Sequence, residues 1–204
     1  MTVWDSEGLF VKVCGLGTEA DLEAANQAGA DAVGFVWWEE SPRHRELDTI
    51  RRLAAASGVP TVLVTVDLDS AALLDAAGRA EVDAVQPHGE NAAVAAAAAR
   101  RLGFRVIRPV KAGSVPLDAA PDDLLLVDTP HPELPGGSGE RFDWTILDLE
   151  RPFLLAGGLS PDNVAEAVRT VRPFGVDASS GLESSPGVKD ADLIRRFIEE
   201  AKQA

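Results

Sequence analysis

Three short segments recur along this chain, and in each of them a helical stretch is followed by an aspartate that opens an apolar run. The aspartates are Asp31, Asp83 and Asp177, and their spacings fit two and four units of about 25 residues, the length of one strand plus one helix. Eight such units fill the 204 residues. The pattern predicts an α/β protein, a closed parallel (β/α)8 barrel, with an open doubly wound sheet as the alternative.

Short apolar runs place the eight strands, because strands buried on both faces consist of continuous hydrophobic residues. The segment after the fifth run has little periodicity, so the barrel is expected to carry a degenerate helix there. Residues 1–204 are expected to form a single domain, since the composition is that of a globular protein. The predicted strands are residues 9–14, 32–38, 59–66, 82–86, 104–109, 124–128, 153–155 and a short strand around Val176.

Apolar residues at helical spacing predict which helix faces pack on the strands. In the alanine-rich helix after strand four, Val94, Ala97, Ala98 and Leu102 share one face, which we expect to point inward. Residues 129–142 form a long loop rich in glycine and proline, which is typical of a functional lid.

Charge and cysteine content narrow the classes of partner. The formal net charge of -14 argues against nucleic acid and membrane surfaces, since both are anionic. We find no apolar run of membrane-spanning length and no basic amino-terminal leader, so we expect a cytoplasmic protein. The only cysteine, Cys14, excludes internal disulfides and cysteine-cluster metal sites, and we find no metal-ligand spacing elsewhere.

Two glycine-containing turns predict a phosphate site. Residues 152–163 form an apolar strand that ends at Gly157 and Gly158 and continues into a helix, for which Ser160 is the expected cap. Ser180 and Gly181 follow the next strand in a second turn rich in donors. Backbone amides at such turns bind anions, and in (β/α)8 barrels the loops after strands seven and eight commonly bind phosphate.

Several other reactive side chains fall at the carboxyl ends of predicted strands, where the active sites of such barrels lie. Cys14 is either a packed hydrophobe or a reactive thiol, and Asp128 is either a loop cap or a general acid whose pKa is raised by apolar surroundings. Arg43 is either a solvated cation or a fork for a carboxylate, and His88 either completes a turn or contacts substrate.

One further pair of charges is expected to have a structural role. Lys12 and Asp177 lie on strands one and eight, which are neighbours in a closed barrel. An ion pair inside the barrel is therefore the expected arrangement.

Together these residues resemble the phosphoribosylanthranilate isomerase family of tryptophan biosynthesis. The matching motifs run in order along nearly the whole chain. They are Lys12-Val13-Cys14-Gly15-Leu16, Gly34-Phe35, Ser41-Pro42-Arg43, Gln86 with His88-Gly89, Leu134 to Gly139 with Phe142-Asp143-Trp144, Leu155 to Leu159, and Val176-Asp177 with Ser179 to Glu183. The chain departs from the family at Thr65, Asp67, Pro87 and Glu140, which affect the walls and lid of the site.

The resemblance implies an Amadori rearrangement of N-(5-phosphoribosyl)anthranilate that needs no cofactor or metal. Asp128 would be the general acid that protonates the ring oxygen, and Cys14 the general base that removes the C2 proton. An iminium acidifies that proton, so a thiolate whose pKa lies near neutrality is a sufficient base. Arg43 would hold the anthranilate carboxylate. The amides of Gly157-Gly158 and Ser180-Gly181 would hold the phosphate.

Two alternatives stay open from the sequence. The isomerase of histidine biosynthesis performs the same chemistry on a substrate with two phosphates. A barrel of that kind has acidic catalytic residues after strands one and five, and this chain lacks them. A phosphosugar sensor without catalysis would need neither Cys14 nor Asp128. The expected partner is a small phosphosugar–anthranilate molecule, and the expected assembly is a monomer, with a homodimer as the alternative.

Overall fold

A computed structural model describes residue 4 and residues 8–111, 119–128 and 151–204 of the chain. Eight parallel strands form a closed barrel in sequence order, and β8 pairs with β1 to complete it. The strands are β1 (Phe10–Cys14), β2 (Ala32–Val36), β3 (Thr61–Val66), β4 (Ala84–His88), β5 (Arg105–Lys111), β6 (Leu124–Asp128), β7 (Phe153–Ala156) and β8 (Gly175–Ala178). The predicted (β/α)8 barrel is confirmed, and the open sheet is excluded.

Helices surround the barrel and connect its strands. They are α1 (Glu19–Ala28), α2 (Leu47–Ala55), α3 (Ser70–Ala80), α4 (Ala92–Arg101), α5 (Val164–Val171) and α6 (Ala191–Lys202). Local signals fix their ends: in α1 the Thr18 side chain accepts a hydrogen bond from the Asp21 amide, and Gly29 ends the helix in the left-handed region. None of the helices in the described ranges is long and apolar enough to cross a membrane.

Strand alternation separates two hydrophobic layers and places the site. On β1, Val11 and Val13 pack outward against the helices, whereas Phe10 and Cys14 belong to a smaller cluster that fills the barrel. Lys12 lies between these two inward positions and is fully buried. Because side chains alternate along a strand, residues 10, 12 and 14 form a column that leads to the carboxyl end of the barrel.

The orientation predicted for α4 was wrong. Val94 and Leu102 are 68% and 66% exposed, while Ala95 and Ala99 are buried against the barrel. In a helix made almost entirely of alanine, the side with small residues can approach the strands closely, and the larger valine and leucine are left outside. Composition within this helix therefore could not indicate its buried face.

The predicted start of α5 was also wrong, because the helix begins at Val164 and not at Pro161. The Asn163 side chain accepts from the Ser160 amide and donates to the Gly158 carbonyl, which holds residues 160–163 in a turn. The other strands and helices agree with prediction to within a few residues. The expected degenerate helix after β5 and the lid loop at 129–142 lie wholly or largely outside the described residues.

An antiparallel hairpin after β8 was not predicted. Its strands are β9 (Glu183–Ser185) and β10 (Val188–Lys189), and a short 3-10 helix, Ser180–Leu182, leads into it. The Pro186-Gly187 dipeptide between the two strands is a turn signal that could have indicated the hairpin.

Candidate active site

The Cys14 thiol points into the barrel at the carboxyl end of β1. Gly34 lies beside it on β2, in register with Cys14. A Cβ atom at Gly34 would lie 2.9 Å from the Cys14 sulfur and 3.3 Å from the Lys12 ammonium nitrogen. The absence of a side chain at Gly34 therefore provides the space in which the thiol and the ammonium group lie close together.

Charges around Cys14 act in opposite directions. Burial raises the pKa of the thiol above its ordinary value, and the Asp177 carboxylate adds to this, whereas the Lys12 and Lys189 ammonium groups lower it. The net shift is upward. A pKa near neutrality, which would suffice for a base, is therefore not the pKa of this thiol, because desolvation outweighs the two cations.

Lys12 and Asp177 form the predicted ion pair inside the barrel. The Lys12 Nζ donates to Asp177 Oδ1 at 2.8 Å, between strands β1 and β8. Burial alone would lower the pKa of Lys12, but the Asp177 charge, with a smaller contribution from Cys14, raises it. Lys12 therefore carries a full positive charge directly beneath the thiol.

Asp128 ends β6 at the same rim of the barrel and is exposed to solvent. The barrel atoms around its carboxyl group nevertheless raise its pKa by desolvation, and the Asp177 charge raises it further. Cys14 and Asp128 end the parallel strands β1 and β6, so both groups stand at the same rim of the barrel. A carboxyl group that retains its proton to higher pH is suited to general acid catalysis.

His88 lies at the end of β4 and is held by a neighbour on its own strand. Its Nε2 is 2.9 Å from Gln86 Nε2, so this ring nitrogen accepts and the proton is assigned to Nδ1. Burial and the Lys12 charge lower the pKa of His88 to about 4. The imidazole is therefore neutral at physiological pH.

The two glycine turns predicted to bind phosphate are in direct contact. Gly157 and Gly158 follow β7 with φ values of 92° and 64°, a left-handed conformation that favours glycine. Gly181 packs against the backbone carbonyl of Leu159, so closely that a side chain at Gly181 would overlap it. The turns after β7 and β8 therefore form one continuous backbone surface, here called the phosphate turn pair (residues 157–160 and 179–181).

Arg43, in the loop after β2, has a partner that sequence reasoning missed. Its Nε and Nη2 donate to the two carboxylate oxygens of Glu183 at 2.7 and 2.8 Å. Its aliphatic stem packs beside Gly15, next to Cys14. The guanidinium group thus lies at the barrel mouth, but one of its two edges is already bound by the β9–β10 hairpin.

Residues 11–200 match the family described as N-(5'-phosphoribosyl)anthranilate isomerase. The chain belongs to this family. The N-(5'-phosphoribosyl)anthranilate isomerase of Rhodopseudomonas palustris (strain BisB18) is 46% identical over an alignment of 209 positions. The alignment covers 95% of this chain and 96% of the relative.

Solved structures of the isomerase family share the fold. The phosphoribosylanthranilate isomerase of Thermotoga maritima is 37% identical, with a TM-score of 0.82 over 96% of this chain and all of its own. A phosphoribosylanthranilate isomerase in complex with reduced 1-(o-carboxyphenylamino)-1-deoxyribulose 5-phosphate is 35% identical, with a TM-score of 0.81 and the same coverage. The recognition of the isomerase family from its motifs is confirmed.

Proposed function

We propose that Cys14 and Asp128 catalyse the isomerisation of N-(5'-phosphoribosyl)anthranilate, the reaction for which the family is named, within tryptophan biosynthesis. The product is 1-(2-carboxyphenylamino)-1-deoxyribulose 5-phosphate. The observation that carries the assignment is that the chain's single thiol and the Asp128 carboxyl stand at the carboxyl ends of β1 and β6, on the same rim of the closed parallel barrel.

The first step uses Asp128 as a general acid. Its proton is transferred to the furanose ring oxygen, the bond from C1 to that oxygen breaks, and the anthranilate nitrogen lone pair forms a C1=N iminium. The raised pKa of Asp128 supports this role, because a carboxyl group that holds its proton more tightly than usual is closer to its working pH.

The second step uses Cys14 as a general base. The thiolate removes the proton from C2, and the electrons form a C1=C2 bond while the nitrogen becomes neutral. The resulting enolamine then loses its hydroxyl proton and gains a proton at C1 to give the ketone. The iminium cation formed in the first step would stand near the thiol, and together with Lys12 it would lower a pKa that burial has raised.

The remaining residues bind the two ends of the substrate. Arg43 would bind the anthranilate carboxylate, because its aliphatic stem packs beside Gly15, the residue after Cys14. The phosphate turn pair would bind the phosphate through the amides of Gly157, Gly158, Ser180 and Gly181. His88, which is neutral, would donate from Nδ1 to the bound sugar without repelling the iminium.

The test separates catalysis from binding. Cys14→Ser and Asp128→Asn should each lower turnover, followed by the loss of substrate fluorescence, by about 10² to 10⁴ fold. Each should bind the reduced product analogue nearly as tightly as the unchanged protein. Asp122→Asn, which makes the same change at an exposed carboxylate a few residues from Asp128, is the matched control and should retain full turnover.

Equal loss of turnover and binding in both variants would contradict the catalytic roles and indicate a structural one. A correctly folded unchanged protein that binds the analogue without turnover would instead support the phosphosugar sensor.

We also propose a cytoplasmic location and a monomeric state. A free thiol that serves as a base persists best in a reducing compartment, which supports the first proposal. Light scattering after size exclusion tests the second, and a mass near twice 21.5 kDa would contradict it.

A further inference from the structure

Three side chains form a charged cluster that joins the loop after β2 to the β9–β10 hairpin. We define the cluster as Arg43, Glu183 and Lys189. Arg43 donates two parallel hydrogen bonds to Glu183, and Lys189 Nζ donates to Glu183 Oε1 at 2.7 Å. Two basic side chains thus share one carboxylate.

Glu183 is the fixed centre of this cluster. Its side chain is 4% exposed, and its Oε2 also accepts from the Gly187 amide at 3.1 Å. Burial alone would raise the pKa of the Glu183 carboxyl, but hydrogen bonds from Arg43 and Lys189 and the Lys189 charge outweigh it and lower the pKa. Glu183 is therefore ionised and held by donors from two directions.

Lys189 connects the cluster to the phosphate turn pair. Its side chain is 1% exposed, and its Nζ donates to the Ser179 carbonyl at 2.9 Å and to Ser179 Oγ at 3.3 Å. Ser179 directly precedes the turn that contains Ser180 and Gly181. The same ammonium group therefore holds both the carboxylate partner of Arg43 and the start of the second phosphate turn.

The Arg43 guanidinium has two edges that can bind a carboxylate. Glu183 occupies the edge formed by Nε and Nη2. The other edge, formed by Nη1 and the second proton of Nη2, points away from that pair because the guanidinium is planar and its donors form a rigid fork. Arg43 remains 22% exposed even with Glu183 in place, so part of its side chain is accessible to solvent.

We propose that Glu183 is a positioning residue for the substrate carboxylate. It fixes the guanidinium group of Arg43 by one edge, so that the Nη1–Nη2 edge is presented to the anthranilate ring in a single orientation. Lys189 supports this role by balancing the Glu183 charge. The inference rests on the proposed role of Arg43 in binding the substrate carboxylate.

The direction in which one substitution changes ligand affinity distinguishes a positioning role from a purely electrostatic one. Glu183→Gln removes a negative charge close to the site where a ligand carboxylate would bind. If only net charge mattered, the affinity for that carboxylate would increase. If orientation matters, affinity decreases, because a glutamine amide has one acceptor oxygen and cannot form the two parallel hydrogen bonds that a carboxylate forms with the guanidinium group, so Arg43 loses its fixed geometry.

The experiment titrates two ligands into the purified protein and its variants. One is reduced 1-(o-carboxyphenylamino)-1-deoxyribulose 5-phosphate, and the other is the same molecule without the ring carboxylate. Glu183→Gln should weaken binding of the first about tenfold and leave the second unchanged. Lys189→Met, which removes the hydrogen bond from Lys189 to Glu183, should also weaken binding of the first ligand selectively.

The controls distinguish this inference from the role of Arg43. Arg43→Met should weaken the carboxylate ligand at least as much as Glu183→Gln does. Glu199→Gln, which breaks an exposed ion pair with Arg195 on α6, should leave the affinity for both ligands unchanged. Thermal unfolding of each variant shows whether it is folded at the titration temperature.

Three results would overturn the inference. Glu183→Gln could leave binding of the carboxylate ligand unchanged or tighten it while Arg43→Met weakens it, which would leave the Arg43 role intact. Glu183→Gln could weaken both ligands equally, which would indicate general structural damage. Arg43→Met could weaken binding of both ligands equally, in which case the Arg43 role and the inference built on it both fail. That result would not contradict the proposed catalytic roles of Cys14 and Asp128.

Discussion

The Lys12 ammonium lies 2.8 Å from the Asp177 carboxylate in the barrel interior, where the Lys12 side chain is fully buried and that of Asp177 is 9% exposed. Two opposite charges removed from water stabilise a protein only while both are present. If one is deleted, the other remains buried and uncompensated. The pair also lies where the barrel closes, because Lys12 and Asp177 are register partners on the first and last strands.

A double-mutant cycle on this pair should show strong coupling. Lys12→Met and Asp177→Asn should each lower the free energy of unfolding by about 3–5 kcal/mol, since each leaves an unpaired polar or charged partner in the interior. The double variant should lose much less than the sum of the two single losses. Urea unfolding measures all three, and additive losses would contradict a direct interaction.

The Lys12 charge should also control the Cys14 thiol. Since the Lys12 ammonium lowers the pKa of the thiol, Lys12→Met should shift the pH dependence of iodoacetamide alkylation to higher pH by about one unit or more. Lys202→Met removes an exposed lysine on α6 and is the matched control, with no expected shift. An unchanged alkylation profile in folded Lys12→Met would show that the ammonium group does not act on the sulfur.

The pH profile of kcat/KM should have its acidic limb set by Asp128. The ordinary pKa of a thiol lies about five units above that of a carboxyl group, and both groups have raised values here. Protonated Asp128 with ionised Cys14 is then a minority form at every pH. The population of this form is constant at pH values between the two pKa values. It decreases when the pH is below the pKa of Asp128, and it decreases again when the pH is above the pKa of Cys14.

We therefore expect the acidic limb above 3.8, the ordinary pKa of aspartate, and Asp128→Glu should move it. An acidic limb at or below that value would contradict the assignment. For stability the sign is opposite to that of a paired carboxylate, because a raised folded pKa favours the protonated form. Stability contributed by Asp128 is lost as pH rises through its folded pKa, so Asp128→Asn should not lower the melting temperature at neutral pH.

Two glycine substitutions should act on different properties of the protein, one on KM and the other on stability. A methyl group at Gly181 overlaps the Leu159 carbonyl, so Gly181→Ala must displace one phosphate turn from the other and should raise KM with a smaller effect on kcat. Gly78, inside α3, has nothing within 4 Å of the added carbon, so Gly78→Ala should stabilise the protein by about 0.5–1 kcal/mol without changing KM. Thermal unfolding and steady-state kinetics measure both, and an unchanged KM in Gly181→Ala would contradict the phosphate assignment.

Features that repeat or that depend on local chain chemistry could be predicted from the sequence. The barrel follows from eight apolar runs at regular spacing, and the rim positions of Cys14 and Asp128 follow from the strand ends. The Lys12–Asp177 pair follows from closure of the barrel. In each case the sequence pattern and the tertiary structure require the same arrangement.

Features that depend on long-range packing could not be predicted. Nothing near Arg43 in the sequence indicates that Glu183, 140 residues away, would bind its guanidinium group. The balance between burial and two cations that raises the pKa of Cys14 is equally invisible without coordinates. In α4 the apolar pattern favoured the face with Val94 and Leu102, but close approach of alanines to the strands decided the orientation.

The separation in sequence between Lys12 and Asp177 has a consequence for biosynthesis on the ribosome. While the chain is being made, Lys12 emerges early and has no counter-ion until residue 177 has left the exit tunnel. Desolvating that lysine alone would cost several kcal/mol, so the first strands cannot adopt their final dry interior before the last strand arrives. The completed barrel should therefore appear only after residue 177 has emerged, with earlier nascent chains hydrated around Lys12.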